Sequence, residues 1–255
     1  MGFFDRLSKE QRVKSAIEKQ VKRVMNKHRL SQDRFVALEK LREIGTDEAI
    51  FGLARRFSYV YDKTIEDEQE KEWVFATLVA FGEQAIEPVR RYAMGSETLS
   101  FPLRVLERVT SGERLLAIID ELLAREELGY TRDPSKKIQL LNWLAEWKGA
   151  PAREIARRVV PYLGDFDETV RFVAVDTLAS QKHEETSRAP LLDALLRPEE
   201  ESRRIKVSIA EVLSRLGWSV SDRKDQLSKL LALELPEYGM HQEKIVAKRK
   251  GKDGV

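Results

Sequence analysis

The sequence predicts an all-α chain, a right-handed α-solenoid of about six helix pairs with an extra N-terminal helix. Three observations predict it. A two-helix phrase, clearest as APLLDALLRPE at 189–199 followed by SRRIKVSIAEVLSRLG at 202–217, recurs about every 34 residues. Turn positions mark the same period, at Gly45, Gly82, Gly112, Gly149, Lys182 with His183, and Gly217. Apolar residues between them return at helical spacing, as in Val170, Val173, Ala174 and Leu178. A unit of this kind covers its apolar face only by stacking on its neighbours, so the period implies an array.

The elements follow in order. Residues 1–30 read as a basic amphipathic helix, with Ile17, Val21, Val24 and Met25 on one side and Lys/Arg on the other. This helix caps the first repeat, binds a partner, or lies on an anionic membrane surface with Phe3, Phe4 and Leu7 as its apolar end. The array occupies 31–235. First helices are expected at 31–44, 65–81, 99–110, 134–148, 167–181 and 201–216. Second helices are expected at 46–59, 83–94, 112–127, 151–163, 186–197 and 221–234. A glycine between them closes a helix because it adopts the left-handed conformation without steric cost. Asp133 before Pro134 predicts a capped helix start, and Thr64 to Asp67 approximates a capping box. From Pro236 the apolar periodicity stops, so 236–255 reads as a basic, disordered tail.

GEQAIEPV (82–89) and YLGDFDETVRFVA (162–174) carry a resemblance. A Pro early in the second helix, an Asp-rich link, then Val-Arg and small residues in the next first helix resemble HEAT repeats. The likeness is good over 150–217 and moderate over 80–95. It departs most in the third pair, where Pro102 sits early in the first helix and no Val-Arg pair precedes the apolar stripe. The resemblance implies the solenoid architecture. It is the repeat array itself that suggests the gripping of another macromolecule; among HEAT-like proteins some are DNA glycosylases and others are lyases or chaperones of cofactor-bearing proteins.

Composition narrows the chemistry. There is no cysteine, which excludes disulfides and thiolate sites. His28, His183 and His241 lie far apart and offer no metal-ligand spacing, so neither metal nor cofactor is expected. The isolated glycines form no phosphate-cradling loop, no nucleophile sits beside a base, and a non-enzymatic role is expected. No apolar run approaches the roughly 20 residues of a membrane-spanning helix, and the start lacks the apolar core of a secretory signal, so a cytoplasmic protein is expected. Net charge is +2, but residues 1–30 carry nine Lys/Arg against Asp5, Glu10 and Glu18, and residues 236–255 carry five against three. A mildly acidic body thus lies between basic ends.

Two candidate surfaces emerge. Counting eight and nine residues from successive turn glycines gives Arg90 and Arg91, then Asp120 and Glu121, then Arg157 and Arg158. These form inter-repeat ion pairs, or the arginines join Arg55 and Arg56 on the inner face and bind acidic groups of a partner. Tyr59 and Tyr61, in the loop after the first second-position helix, are candidate contact residues. Trp143 and Trp147, four apart, read as core or as an exposed platform. The expected partner is another protein, with nucleic acid as the alternative; against the latter stands the acidic body.

Overall fold

The structure, a computed structural model, describes residues 3–126 and 129–248, with only the backbone of 3–9. These residues are all-α apart from one short hairpin. Helix α1 (Phe3–Val24) leads. Six pairs follow among the described residues: α2 (Ser31–Ile44) with α3 (Asp47–Ala54), α4 (Thr64–Ala80) with α5 (Ile86–Gly95), α6 (Ser100–Val109) with α7 (Gly112–Ala124), α8 (Ser135–Glu146) with α9 (Ala152–Val159), α10 (Glu168–Gln181) with α11 (Glu184–Leu196), and α12 (Arg203–Leu216) with α13 (Lys224–Glu234). Four 3₁₀ turns, Arg55–Ser58, Gly82–Ala85, Val160–Gly164 and Ser221–Arg223, extend α3, α5, α9 and α13 to nearly the spans the sequence predicts.

Two compact units divide the chain, Met1–Leu122 and Leu123–Val255; the sequence reading ran one continuous array over 31–235. In the first unit α2 packs on α4 and α4 on α6, α3 packs on α5, and α1 lies against α2 and α3. In the second, α8 packs on α10, α10 on α12, α9 on α11 and α11 on α13. First helices therefore meet first helices and second helices meet second helices. The buried stripes explain the pattern. Ala37, Leu38 and Leu41 of α2 and Val170, Ala174 and Leu178 of α10 are fully covered at three- and four-residue spacing.

Helix ends follow local chemistry. Gly45 and Gly217 take positive φ and donate their N–H groups to Leu41 and Leu213, closing α2 and α12. Lys182 closes α10 in the same left-handed conformation without being glycine. Pro134 rather than Asp133 takes the N-cap position of α8, and Asp133 Oδ1 accepts the Ser135 N–H at 3.0 Å from just before it. Gly149 has a different reason, since a Cβ there would meet the Trp147 indole at 2.6 Å. Trp147 is buried and Trp143 half-buried, their ring centroids 4.6 Å apart, so this pair belongs to the core. Two further details differ from expectation. Gly112 opens α7 rather than closing α6, and Thr64 is the first residue of α4 rather than its cap, the cap position falling to Lys63.

The tail also differs. Residues 236–255 do not run on without structure: β1 (Tyr238–His241) pairs antiparallel with β2 (Lys244–Ala247). Ile245 is fully buried and Tyr238 nearly so. β1 packs on α13 and β2 on α12, and Glu243 O accepts the Val220 N–H at 2.7 Å. The turn residues Gln242 and Glu243 both have positive φ, the geometry that matches strand twist in a two-residue loop. The basic residues of 249–255 and the side chains of Phe3, Phe4 and Leu7 lie outside the described residues. No described helix is long and apolar enough to cross a membrane.

Candidate functional site

Of the eight sequence-predicted contact residues, three turn inward. The buried face of α4 begins with Asp67, Glu70 and Lys71 before it becomes Val74, Thr77 and Leu78. Helical spacing thus aims charges into the link between α2, α3 and α4. Arg56 is fully buried there, with Nε 2.6 Å from Glu70 and Nη2 2.6 Å from Asp67. Arg34, also fully buried, donates to Glu70 from Nη2 at 2.6 Å and from Nε at 3.1 Å. Ser31 Oγ reaches Glu70 at 2.8 Å and Lys71 Nζ reaches Asp67 at 2.7 Å. Tyr59 and Tyr61 form the lid of this cluster, half-buried, with Arg56 4.3 Å over one ring and Arg34 4.1 Å over the other. The Tyr59 hydroxyl donates to Val24 O. Arg56, Tyr59 and Tyr61 are therefore occupied inside the fold and are not free contact residues.

Two carboxylates face three cations in this cluster. Burial alone would raise Glu70, but hydrogen bonds from Arg34, Arg56 and Ser31 outweigh it and hold it below the ordinary glutamate value. Burial likewise works to raise Asp67, and Lys71, Arg56 and the Tyr61 N–H win, holding it low. Tyr59 moves the other way, pushed up chiefly by burial. The charged state is fixed over the physiological range, and the cluster is built to hold the first link together.

The remaining arginines lie on second helices. Arg90 pairs with Glu87 at 2.8 Å on its own helix and with Glu121 on the next second helix, α7. That contact is one rung of the inter-repeat pairing the ladder suggested. Arg157 and Arg158 pair with Glu154 within α9. Arg55 and Arg91 stand apart. Arg55 is exposed with no ionic partner among the described residues. Arg91 is exposed, 4.5 Å over the Phe51 ring and 3.7 Å from Glu48. A pair so long and so wet contributes about 0–1 kcal/mol.

Arg55 and Arg91 flank one cavity of about 400 Å³ between α3, α5 and the link after α5, lined also by Phe51, Tyr92, Ser96 and Thr98. Tyr92 is 6% exposed, and its hydroxyl is closed to solvent beside Ser96 without a hydrogen bond of good geometry. Leaving a buried hydroxyl unpaired costs about 1–3 kcal/mol. Burial also pushes Tyr92 above the ordinary tyrosine value, so it remains a donor. A second cavity of about 300 Å³ adjoins it between α1 and α3, lined by Ile17, Val21, Phe51, Gly52 and Arg55 with Lys14 and Lys22 beside them. Gly52 permits this approach, because a Cβ would sit 2.8 Å from Val21 Cγ2. Arg55 and Arg91 thus place two exposed guanidiniums at the rim of this cavity, with Glu97 also in its lining. Tyr92 was missed by sequence reasoning; its signal was its place two residues after Arg90 on the second-helix stripe, where it reads as core.

Among the described residues no three His, Asp or Glu converge as a metal site. Comparison with family models, with curated proteins and with solved structures finds no match.

Proposed function

We propose that this chain is a right-handed α-solenoid of HEAT-like pairs serving as a non-catalytic scaffold, which binds a partner protein through the surface of its second helices. Packing of first helix on first helix and second on second, within each unit, supports the architecture. The observation that carries the binding reading is the cavity on α3 and α5. Arg55 there is exposed with no ionic partner among the described residues, and Arg91 beside it makes only a long contact to Glu48. The apolar cavity beside it adds the kind of desolvated anchor that dominates protein interfaces. Affinity capture with the full chain and with an R55E/R91E variant tests this. The wild type should retain a specific protein that the variant loses by tenfold or more, about 1.4 kcal/mol. Equal retention by both removes the role of this surface.

A second reading is nucleic-acid binding, favoured by α1. Arg12, Lys14, Lys19 and Lys22 are exposed there and form no ion pair among the described residues. Phosphate binding by this helix would fall steeply with salt. A duplex DNA that shows no affinity for the chain at low salt eliminates it.

A further inference from the structure

We propose that the outer face of α1 grips one strand of a duplex nucleic acid by its phosphates, without reading its sequence. The inference rests on the nucleic-acid reading of α1 and names the ligand form, the contact residues and the mode. Positions 15, 19, 22, 23 and 26 recur at three- and four-residue spacing, so they share one face. Lys19, Lys22 and Arg23, with Arg29 from the turn after the helix, border a recess of about 460 Å³ there. Ser15 and Asn26 complete it with neutral hydrogen-bonding groups. Lys19 and Lys22 are exposed and form no ion pair among the described residues. Arg23 donates to the neutral Gln20 side chain at 3.4 Å, and Arg29 meets Asp33 at 3.8 Å in the open.

Acids are present on this strip but outnumbered. Glu18 lines the same recess, Glu48 borders Lys14 and Lys22 on the α3 side, and Glu10 lies on the same helix. With Asp33 they set four carboxylates against the seven Lys/Arg of residues 10–29, so the strip stays cationic. Acids of the body more than about 10 Å away are screened at about 0.1 M salt.

Three features select the ligand. No apolar residue lines the recess, so it lacks the desolvated anchor on which protein interfaces depend. The apolar stripe of α1, Ile17, Val21 and Val24, is buried where the helix packs on α2 and α3, and a spent stripe cannot insert into a bilayer. No aromatic ring lines the recess either, whereas single strands are held by stacking on such rings. What remains is attraction between cations and a phosphate backbone. Spacing fits a duplex, because Ser15 to Arg23 spans about 12 Å of helix. One duplex strand carries a phosphate about every 3.4 Å, which sets about three or four phosphates opposite the cations of the recess.

The test uses the full chain and fluorescent duplex DNA of about 20 base pairs in two unrelated sequences. Single-stranded oligothymidine and vesicles rich in phosphatidylserine are the other probes. Both duplexes should bind equally, and affinity should fall about 100-fold between about 50 and 200 mM salt, as about four phosphate contacts require. The double variant K19Q/K22Q should halve the salt slope, leaving a fall of about tenfold, with its unfolding midpoint unchanged. Glu18→Gln should tighten binding about twofold, and Arg157→Gln on α9 should leave it unaltered. Several results overturn the proposal: a single strand bound as tightly as the duplex, vesicles bound in preference to it, a salt slope unmoved by K19Q/K22Q, or no tightening by E18Q. Preference for vesicles marks the strip as a membrane contact. If the duplex binds K19Q/K22Q with the wild-type slope, the nucleic-acid reading survives on another surface; if no duplex binds at low salt, that reading falls together with this site.

Discussion

The two units carry their buried charges in opposite ways. In the second, each first helix sends one basic residue from near its start to an acid 28 or 29 residues on, just after the following second helix or at its end. Lys137 reaches Asp165 at 2.8 Å, Arg171 reaches Glu200 at 2.7 Å and 3.0 Å, and Lys206 reaches Glu234 at 2.6 Å. Each repeat is tied to the next link by its own rung. The first unit shows no such series among the described residues. Arg34, Arg56, Lys71, Asp67 and Glu70 collapse into one cluster about a single link, with two tyrosine rings over the arginines. Distributed pairs make each repeat interface separately replaceable. A shared cluster makes several elements depend on one carboxylate, because removing one member strands the others in a dry site.

The largest effect should come from Glu70→Gln. The substitution leaves Arg34 and Arg56 fully buried with Asp67 as the one remaining carboxylate. Breaking a buried network of this kind costs about 3–5 kcal/mol. Hydrogen exchange should show the loss in α2 and α4 amides. The same carboxylates fix the pH response. Glu70 and Asp67 both titrate below their ordinary values when folded, so their stabilisation is complete above the unfolded values and is lost as pH falls through the folded ones. Unfolding midpoints of the wild type should therefore decline on acidification below about pH 4.5, and those of E70Q should decline less. A cost under about 1 kcal/mol for E70Q would show that the cluster is no more than a set of surface pairs.

Asp165→Asn should come next. Lys137 and Asp165 are the one pair among the rungs with both side chains fully covered. Asp165 also accepts from the Gly129 and Asp167 N–H groups, and Lys137 also donates to Gly129 O at 3.0 Å. That carbonyl keeps a partner on the ammonium, so the cost should fall at the low end of the buried-pair range, about 3 kcal/mol. Exchange protection should drop in α8 and α10 and stay unchanged in α2 and α4. Loss of protection in all four helices would erase the distinction between shared and separate anchoring.

Much of this was legible. The six helix pairs, the left-handed closures at Gly45 and Gly217, and the turn at Lys182 lay in periodicity and turn chemistry, which act within a few residues. The hairpin was not legible, because Gln242 and Glu243 lack the Asn-Gly signature of a two-residue turn and take positive φ under tertiary constraint. Arg55 and Arg91 emerged from the second-helix register, whereas Arg56, one residue from Arg55, points the other way. Adjacent helical positions differ by about 100° in direction. What would have separated them is the stripe of α4, where Asp67, Glu70 and Lys71 continue the spacing of Val74 and Leu78. Charged residues on an apolar stripe call for buried partners in reach, and Arg34 occupies the same kind of position on α2, before Ala37 and Leu41.

The smallest effect should come from Glu234→Gln. Lys206 Nζ lies 2.6 Å from Glu234, as short as any contact in the first unit's cluster, yet the Glu234 side chain is 46% exposed. Distance alone would rank this rung with Glu70. Water decides otherwise, because an ammonium near the surface regains hydration when its partner is neutralised, and the remaining amide oxygen still accepts a hydrogen bond. The expected loss is about 0–1 kcal/mol, with exchange in α12 and α13 nearly unchanged. A loss of about 3 kcal/mol would mean that the outer rung is as dry as the Lys137 rung, and that β1 and β2, which pack on α13 and α12, shield it more completely than the exposure of Glu234 indicates.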